Sequence, residues 1–171
     1  MVLKLLPDSH PLLHSRVKGC SEDLDRPEMS RLLEENMKHH DGVGLSANQI
    51  GINERVFIMM INFETEETIT CFNPRIVKRY SGEVCFEEGC LSFPDTIRNI
   101  SRPDRIVVKY EDENKNAHKI KLEGFASRVF QHEYDHMEGT NFTEQVSKLK
   151  LDMAKRRATK VKKKSLLLEI A

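Results

Sequence analysis

The segment from Gln131 to His136 has the residue types and the spacing of a metal site. On an α-helix, His132 and His136 are about one turn apart on the same face, so both imidazoles can bind one metal ion. Glu133 lies beside that ion, where it can move protons. HExxH strings also arise by chance, and paired histidines are often surface residues, so the motif needs support from the rest of the chain.

Two histidines leave the ligand set incomplete. A third histidine at the position used by long-motif metallopeptidases is excluded, because Phe142 occupies it. The glutamate used by the other large metallopeptidase class is also missing, since residues 148–164 contain none. Cys90 is the best candidate, because Gly89 allows close approach of the backbone and a thiolate is a soft metal ligand.

The composition limits the class of protein. The chain has 171 residues, enough for one domain, with 27 basic and 27 acidic side chains. Nine basic and two acidic residues lie from Val146 onward, so the balance hides a basic tail. Short, interrupted apolar runs and an N-terminus without a basic segment before an apolar one predict neither a membrane span nor a signal peptide. Four cysteines without a CxxC pair favour a reducing compartment.

Apolar periodicity predicts the elements that position these residues. One helix is expected from Pro27 to His40, and a second begins at Gly124 and carries the histidine pair on its inward face. A third helix is expected at 145–164, with a basic face. Runs rich in β-branched and aromatic residues predict strands at 55–61, 68–72, 75–80, 105–111 and 117–123. The expected fold is therefore a single α+β domain, with antiparallel β-sheets packed around the histidine-bearing helix.

Three segments together resemble the signature motifs of the peptide deformylase family. They are GVGLSANQ at 42–49, EGCLS at 88–92 and QHEYDH at 131–136, in the family's order and spacing. The resemblance extends to about Phe142. It implies a catalytic domain at 1–145 and a basic C-terminal helix and tail of the same domain at 146–171. It also implies a cytoplasmic enzyme of bacterial type, with an organelle or a virus-infected bacterium left open.

The resemblance implies a metal-dependent hydrolase that removes the N-formyl group from the initiator methionine of new polypeptides and releases formate. Cys90, His132 and His136 would hold one divalent metal, natively ferrous iron, for which nickel, cobalt or zinc can substitute. A metal-activated water would attack the formyl carbon, with Glu133 as general base and then acid. The Gln49 side chain and the backbone N–H of Leu91 would stabilise the oxyanion.

The resemblance also assigns residues to the substrate and identifies departures from the family pattern at Ser46 and Arg128, while Asn48 fills a variable position of the first motif. The residues expected to bind the peptide are Gly44, Gly89, Phe125 and Val129. Ser46 replaces a frequent alanine and is expected to leave activity intact. Arg128 replaces an apolar residue of the methionine pocket, and we expect its charged end to extend to the pocket mouth.

Partners and alternatives follow from the same residues. Formyl-methionyl nascent peptides are the expected substrates, and the ribosome is a further partner through the basic C-terminal helix. No membrane or DNA partner is expected. Two other classes stay open: a zinc endopeptidase, and a metal-stabilised RNA-binding module that uses the basic tail.

Overall fold

Helix α1, Arg26–His39, is bounded by local sequence signals. The computed structural model describes residues 1–140, and for residues 94–96 the backbone alone. The Asp25 carboxylate caps the helix by accepting a hydrogen bond from the Glu28 N–H at 3.0 Å, and Pro27 lies in the first turn. The helix predicted from Pro27 to His40 is thus confirmed to within one residue.

A five-stranded antiparallel sheet forms the centre of the fold, in the order β1-β2-β3-β6-β7. A separate two-stranded hairpin consists of β4 and β5. In chain order the strands are β1 Gly44–Ser46, β2 Val56–Asn62, β3 Glu67–Arg79, β4 Glu83–Cys90, β5 Phe93–Pro103, β6 Arg105–Glu111 and β7 Ala117–Glu123.

The predicted strands correspond closely to this sheet. β6 and β7 match their predicted bounds, and β2 is displaced by one residue. The runs 68–72 and 75–80 belong to one strand, β3, whose pairing shifts between Phe72 and Arg75. Pro74 lies in that shift, where its missing N–H costs no ladder hydrogen bond. The β4–β5 hairpin was not predicted, because Glu83 to Glu87 are all exposed and give no alternation of burial.

The two faces of the sheet pack against different helices. Phe57 and Met59 of β2 face helix α2, Gly124–Glu138, and share a core with its Phe130. Val56 and Ile58, the alternate residues of β2, face α1. This alternation, together with the antiparallel pairing, confirms the α+β fold class.

Helix α2 begins at Gly124, as predicted, and ends at Gly139. Both glycines have positive φ, of 53° and 69°. A Cβ at Gly139 would lie 2.6 Å from the backbone carbon of Ser15, so the turn after α2 requires glycine. The helix predicted at 145–164 lies outside the described residues. Neither described helix is long and apolar enough to cross a membrane.

Candidate metal centre and active site

Three side chains, two from α2 and one from β4, converge at one place. Cys90 ends strand β4, and His132 and His136 lie one turn apart on α2. Their ligand atoms all lie within 4.8 Å of one another, with Cys90 Sγ 3.3 Å from His136 Nε2. Two ligands bound to one tetrahedral ion are separated by ~3.6 Å. The structure therefore brings together the three residues predicted to bind metal, in an arrangement that fits one ion.

Glu88 orients the first histidine. Its Oε2 lies 3.1 Å from His132 Nδ1, which leaves Nε2 on the side of the cysteine. Arg102 donates to both carboxylate oxygens of Glu88, at 2.7 and 2.9 Å, and also to Asp135 Oδ2 at 2.8 Å. Burial opposes ionisation of Glu88, but the hydrogen bonds from His132 and Arg102 lower its pKa to about 2. Such a partner fixes the ring orientation of a metal-binding histidine.

The electrostatics of the centre favour a cation. Burial alone would lower the pKa of His132, but its hydrogen bonds with Cys90 and Glu88 raise this pKa to about 10. Burial, reinforced by the charge of His132, lowers the pKa of His136. The negative groups that hold a proton on His132 would equally favour a divalent metal, because metal and proton compete for the same imidazole. The thiol and the two imidazoles, together with the negative charge around them, thus fit a metal ion.

Glu133 is buried beside the centre and held on one side. The Ser46 hydroxyl donates to Glu133 Oε2 at 2.7 Å. Burial raises the pKa of Glu133, while the charge of His132 and the Ser46 hydrogen bond oppose this increase. Gly44 allows the carboxylate to lie there, because a Cβ at this position would come within 2.5 Å of Glu133 Oε1.

Gln49 is buried near the cysteine and oriented by hydrogen bonds. Its Oε1 accepts from the Ser46 N–H at 2.9 Å, so its amide nitrogen is directed to the centre. That nitrogen lies 3.1 Å from Ser92 Oγ and 3.7 Å from Cys90 Sγ. Leu91 lies in the two-residue turn between β4 and β5. Both predicted oxyanion groups are therefore next to the predicted ligands.

A cavity of about 330 Å³ opens beside the cluster. Eight of the ten predicted site residues line it, and the other two, Gln49 and His136, are buried and do not belong to its lining. The eight are Gly44, Gly89, Cys90, Leu91, Phe125, Val129, His132 and Glu133. Phe86, Phe125 and Val129 supply an apolar wall. The cavity is thus a cleft with apolar walls and a small number of polar groups, as ligand sites usually are.

Arg128 lines the cavity, and its guanidinium lies 5.8 Å from the ring centroid of Phe86, a residue of the hairpin that lines the same cavity. There it binds Glu88 Oε1, the carbonyl oxygen of Ile100 at 3.1 Å and that of Val84 at 2.6 Å. It therefore ties α2 to the β4–β5 hairpin.

Comparison with known proteins agrees with this site. The family model described as Polypeptide deformylase matches residues 2–152. The chain belongs to the polypeptide deformylase family. A peptide deformylase of Rhizobium meliloti (strain 1021) is 37% identical over 166 residues, which cover 94% of this chain and 93% of that protein.

Solved deformylase structures share the fold. The peptide deformylase of Thermotoga maritima superposes with a TM-score of 0.80 at 34% identity, over 86% of this chain and 99% of that one. A peptide deformylase from Synechococcus elongatus in complex with actinonin gives a TM-score of 0.80 at 30% identity, over 92% of this chain and 88% of that one. The family is a metal-dependent group of hydrolases that remove N-formyl groups from newly made polypeptides, and this activity extends to the present chain.

Several residues that support the deformylase site were missed by sequence reasoning. Glu88 lies within the EGCLS segment, yet its contact with His132 could not be read from the motif. Ser46 was treated as a harmless replacement, whereas its hydroxyl binds Glu133. Arg102 carried no sequence signal, because it lies in a strand that was not predicted. Asn48 Nδ2, which donates to the His136 carbonyl at 2.8 Å, was likewise unexpected.

Proposed function

We propose that this chain hydrolyses the formyl group of formyl-methionine at polypeptide N-termini, using one divalent metal held by Cys90, His132 and His136. The observation that carries the proposal is the convergence of these three side chains on one cavity wall with Glu133. Three protein ligands leave one position open, as in catalytic rather than structural sites. When bound, the metal supplies a Lewis acid that brings the pKa of water from about 15.7 toward about 7.

Glu133 is proposed to move the protons. Its carboxylate, fixed by Ser46 at one oxygen, takes the proton from the attacking water and passes one to the leaving amine. Burial keeps this exchange away from bulk water, and the raised pKa brings the carboxyl closer to the pH at which it must both accept and donate. The space created by Gly44 keeps the second oxygen beside the cavity.

Gln49 and Leu91 are proposed to bind the oxygen that becomes negative as water attacks the formyl carbon. Gln49 is buried and already oriented by the Ser46 N–H, so little reorganisation is needed. Preorganised donors of this kind stabilise the transition state more than the substrate, and losing one costs about 2.7–4 kcal/mol.

The methionine side chain is proposed to occupy the apolar part of the cavity between Phe125 and Val129. Gly44 and Gly89 lie at the cavity edge, where their backbone can pair with an extended peptide. Formyl-Met and formyl-norleucine peptides should therefore react faster than formyl-Ala peptides. Equal kcat/KM values for all of them would contradict this assignment.

The central experiment measures formate release from a formyl-Met tripeptide by protein purified without oxygen, with Glu133→Ala beside the wild type. Loss of general acid–base catalysis should reduce kcat by about 10²–10⁴-fold. Equal metal content in both proteins would show that the loss is chemical. Absence of formate from folded, metal-loaded wild type would contradict the proposal and return the chain to the class of non-catalytic binding modules.

Ferrous iron is proposed as the native metal, on the resemblance to deformylases; nickel, cobalt or zinc would substitute. Ligand type alone does not separate these ions. Metal analysis of anaerobically prepared protein should find iron together with the highest activity. Stoichiometric zinc with full activity would overturn this choice.

The ribosome is proposed as a further partner of the basic segment 146–171, on its nine basic and two acidic residues. That segment lies outside the described residues, so charge alone supports the idea. A chain cut after Gln145 should bind ribosomes more weakly than the full chain. Equal binding would contradict this role.

A further inference from the structure

The sheet face that packs on α1 is only partly covered in the described part of the chain. α1 covers β1 and β2, and Arg26 in its first turn forms an ion pair with Glu111 at the end of β6. Past this pair, the alternate side chains of β6 and β7 that point to the same side as Glu111 are mostly exposed. The exposed region extends over the second half of β3 as well.

These outward positions carry a concentration of positive charge, which we call the basic face. Its six members are all exposed: Arg75, Lys78, Arg105, Lys109, Lys119 and Lys121. The two carboxylates on this face of the sheet already form ion pairs, Glu111 with Arg26 and Glu123 with Lys121. Among the side chains that the structure describes, the other five cations form no ion pair, and Arg105 faces Glu123 directly across β6 and β7.

The register places like charges directly opposite one another. Arg75 on β3 pairs with Lys109 on β6, and Lys109 pairs with Lys119 on β7. Such facing residues have their Cβ atoms only about 4.5–5.5 Å apart, and like charges at this distance destabilise a sheet. The basic face therefore costs stability unless negative charge is brought to it.

An aromatic ring lies among the cations. The ring centroid of Tyr80 is 4.4 Å from Lys78 Nζ, 5.4 Å from Arg105 Cζ and 5.9 Å from Lys121 Nζ. Each charge is attracted to the ring face, by about 0.5–1 kcal/mol at exposed sites. Three of the cations are thus gathered around one aromatic ring.

We propose that the basic face binds the phosphate backbone of a folded RNA. The backbone positions of its cations lie about 4.8 Å apart across strands and about 6.8 Å apart at alternate residues along a strand, so the face offers several cations that a polyanion can contact together and a single small anion cannot. Clustered lysines and arginines on one surface are typical of proteins that bind nucleic-acid phosphates. The outward residues of β6 and β7 include no large exposed apolar side chain, which a membrane surface would normally engage.

The proposal is tested with full-length, metal-loaded protein and a fluorescein-labelled RNA hairpin, by anisotropy over a series of KCl concentrations. Lys109→Gln combined with Lys119→Gln should weaken binding and reduce the slope of log K against log salt by about 2, one for each phosphate contact. The same change should raise the Tm, because it removes facing like charges. Loss of RNA affinity together with a gain in stability is an outcome that general damage to the fold does not produce.

The matched control is Lys4→Gln combined with Lys38→Gln, which changes the net charge equally at exposed positions away from this face. It should bind the hairpin like the wild type, and both double variants should release formate at the wild-type rate. Equal weakening in the control, or unchanged binding and slope in the Lys109/Lys119 variant, would overturn the proposal. Binding to phosphatidylserine vesicles but not to RNA, with loss in the Lys109/Lys119 variant, would overturn it in favour of a membrane. Lys109→Gln alone supplies the same comparison if the double variant does not fold.

Discussion

Two clusters of charge in this chain are built in opposite ways. Beside the metal centre, the buried guanidinium of Arg102 and the partly buried one of Arg128 bind the carboxylates of Glu88 and Asp135. On the basic face, cations are exposed and face each other across three strands. In the first cluster two arginines match two carboxylates, so we expect the loss of either arginine to destabilise the fold. In the second cluster cations outnumber carboxylates, so we expect the loss of one cation to have little effect on stability. The paired charges orient their neighbours, whereas the exposed cations are accessible to a partner.

The sharpest test of this contrast removes one arginine from each cluster. Arg102→Met removes the guanidinium that binds the buried Glu88 and the partly buried Asp135, which should lower the free energy of unfolding by about 3–5 kcal/mol. Arg105→Met on the basic face should change it by no more than about 0.5 kcal/mol. Urea unfolding measures both. Similar losses in the two variants would show that burial does not separate the clusters.

A second test concerns orientation. Glu88→Gln keeps the side-chain volume but removes the charge that holds His132 Nδ1, so metal affinity should fall by about 10–100-fold. Glu87→Gln, at the exposed neighbouring position, is the control and should bind metal like the wild type. Competition with a chromophoric chelator gives both affinities. An unchanged affinity in Glu88→Gln would mean that packing alone orients the histidine.

The smallest effect on stability is expected at the edge of the basic face next to α1, where Arg26 and Glu111 pair at 2.6 Å. The hydrogen bond from Arg26 lowers the pKa of Glu111 below its ordinary 4.5. A lowered folded-state pKa stabilises the fold above the unfolded pKa, and this contribution disappears as the pH falls through the folded value. The difference in stability between wild type and Arg26→Met should therefore shrink on acidification below about pH 4.5.

The control for that pair is Arg31→Met, since Arg31 and Glu28 are both exposed. Exposed pairs contribute about 0–1 kcal/mol, so its stability should follow the wild type at every pH. Chemical unfolding between about pH 7 and pH 3 measures the three proteins. A difference for Arg26→Met that is constant with pH would assign the effect to its packing over Phe72 instead.

The sequence predicted what depends on short-range pattern. The periodicity of α1 and the alternation in β6 and β7 located those elements, because each has one buried face. The β4–β5 hairpin has little buried surface over its first half, so alternation could not reveal it.

The candidate site likewise has a part that the sequence predicted and a part that it did not. The ligand types were visible in two short motifs, and the structure places them together. The supporting contacts were not visible, because Glu88 meets His132 and Ser46 meets Glu133 across 44 and 87 residues. Only the folded chain defines such pairs, since neither residue type nor local spacing specifies which distant side chain it will contact.

The position of Cys90 at the end of a hairpin has a consequence for folding. β4 and β5 share no ladder with the five-stranded sheet, and Cys90 lies 46 residues from His136. An ion bound to both would close that loop as a cross-link, which favours the folded chain by restricting the unfolded one. Removal of metal should then increase hydrogen exchange first in the hairpin amides, before those of β2 and β3. The metal would thus stabilise the hairpin that forms one wall of its own pocket.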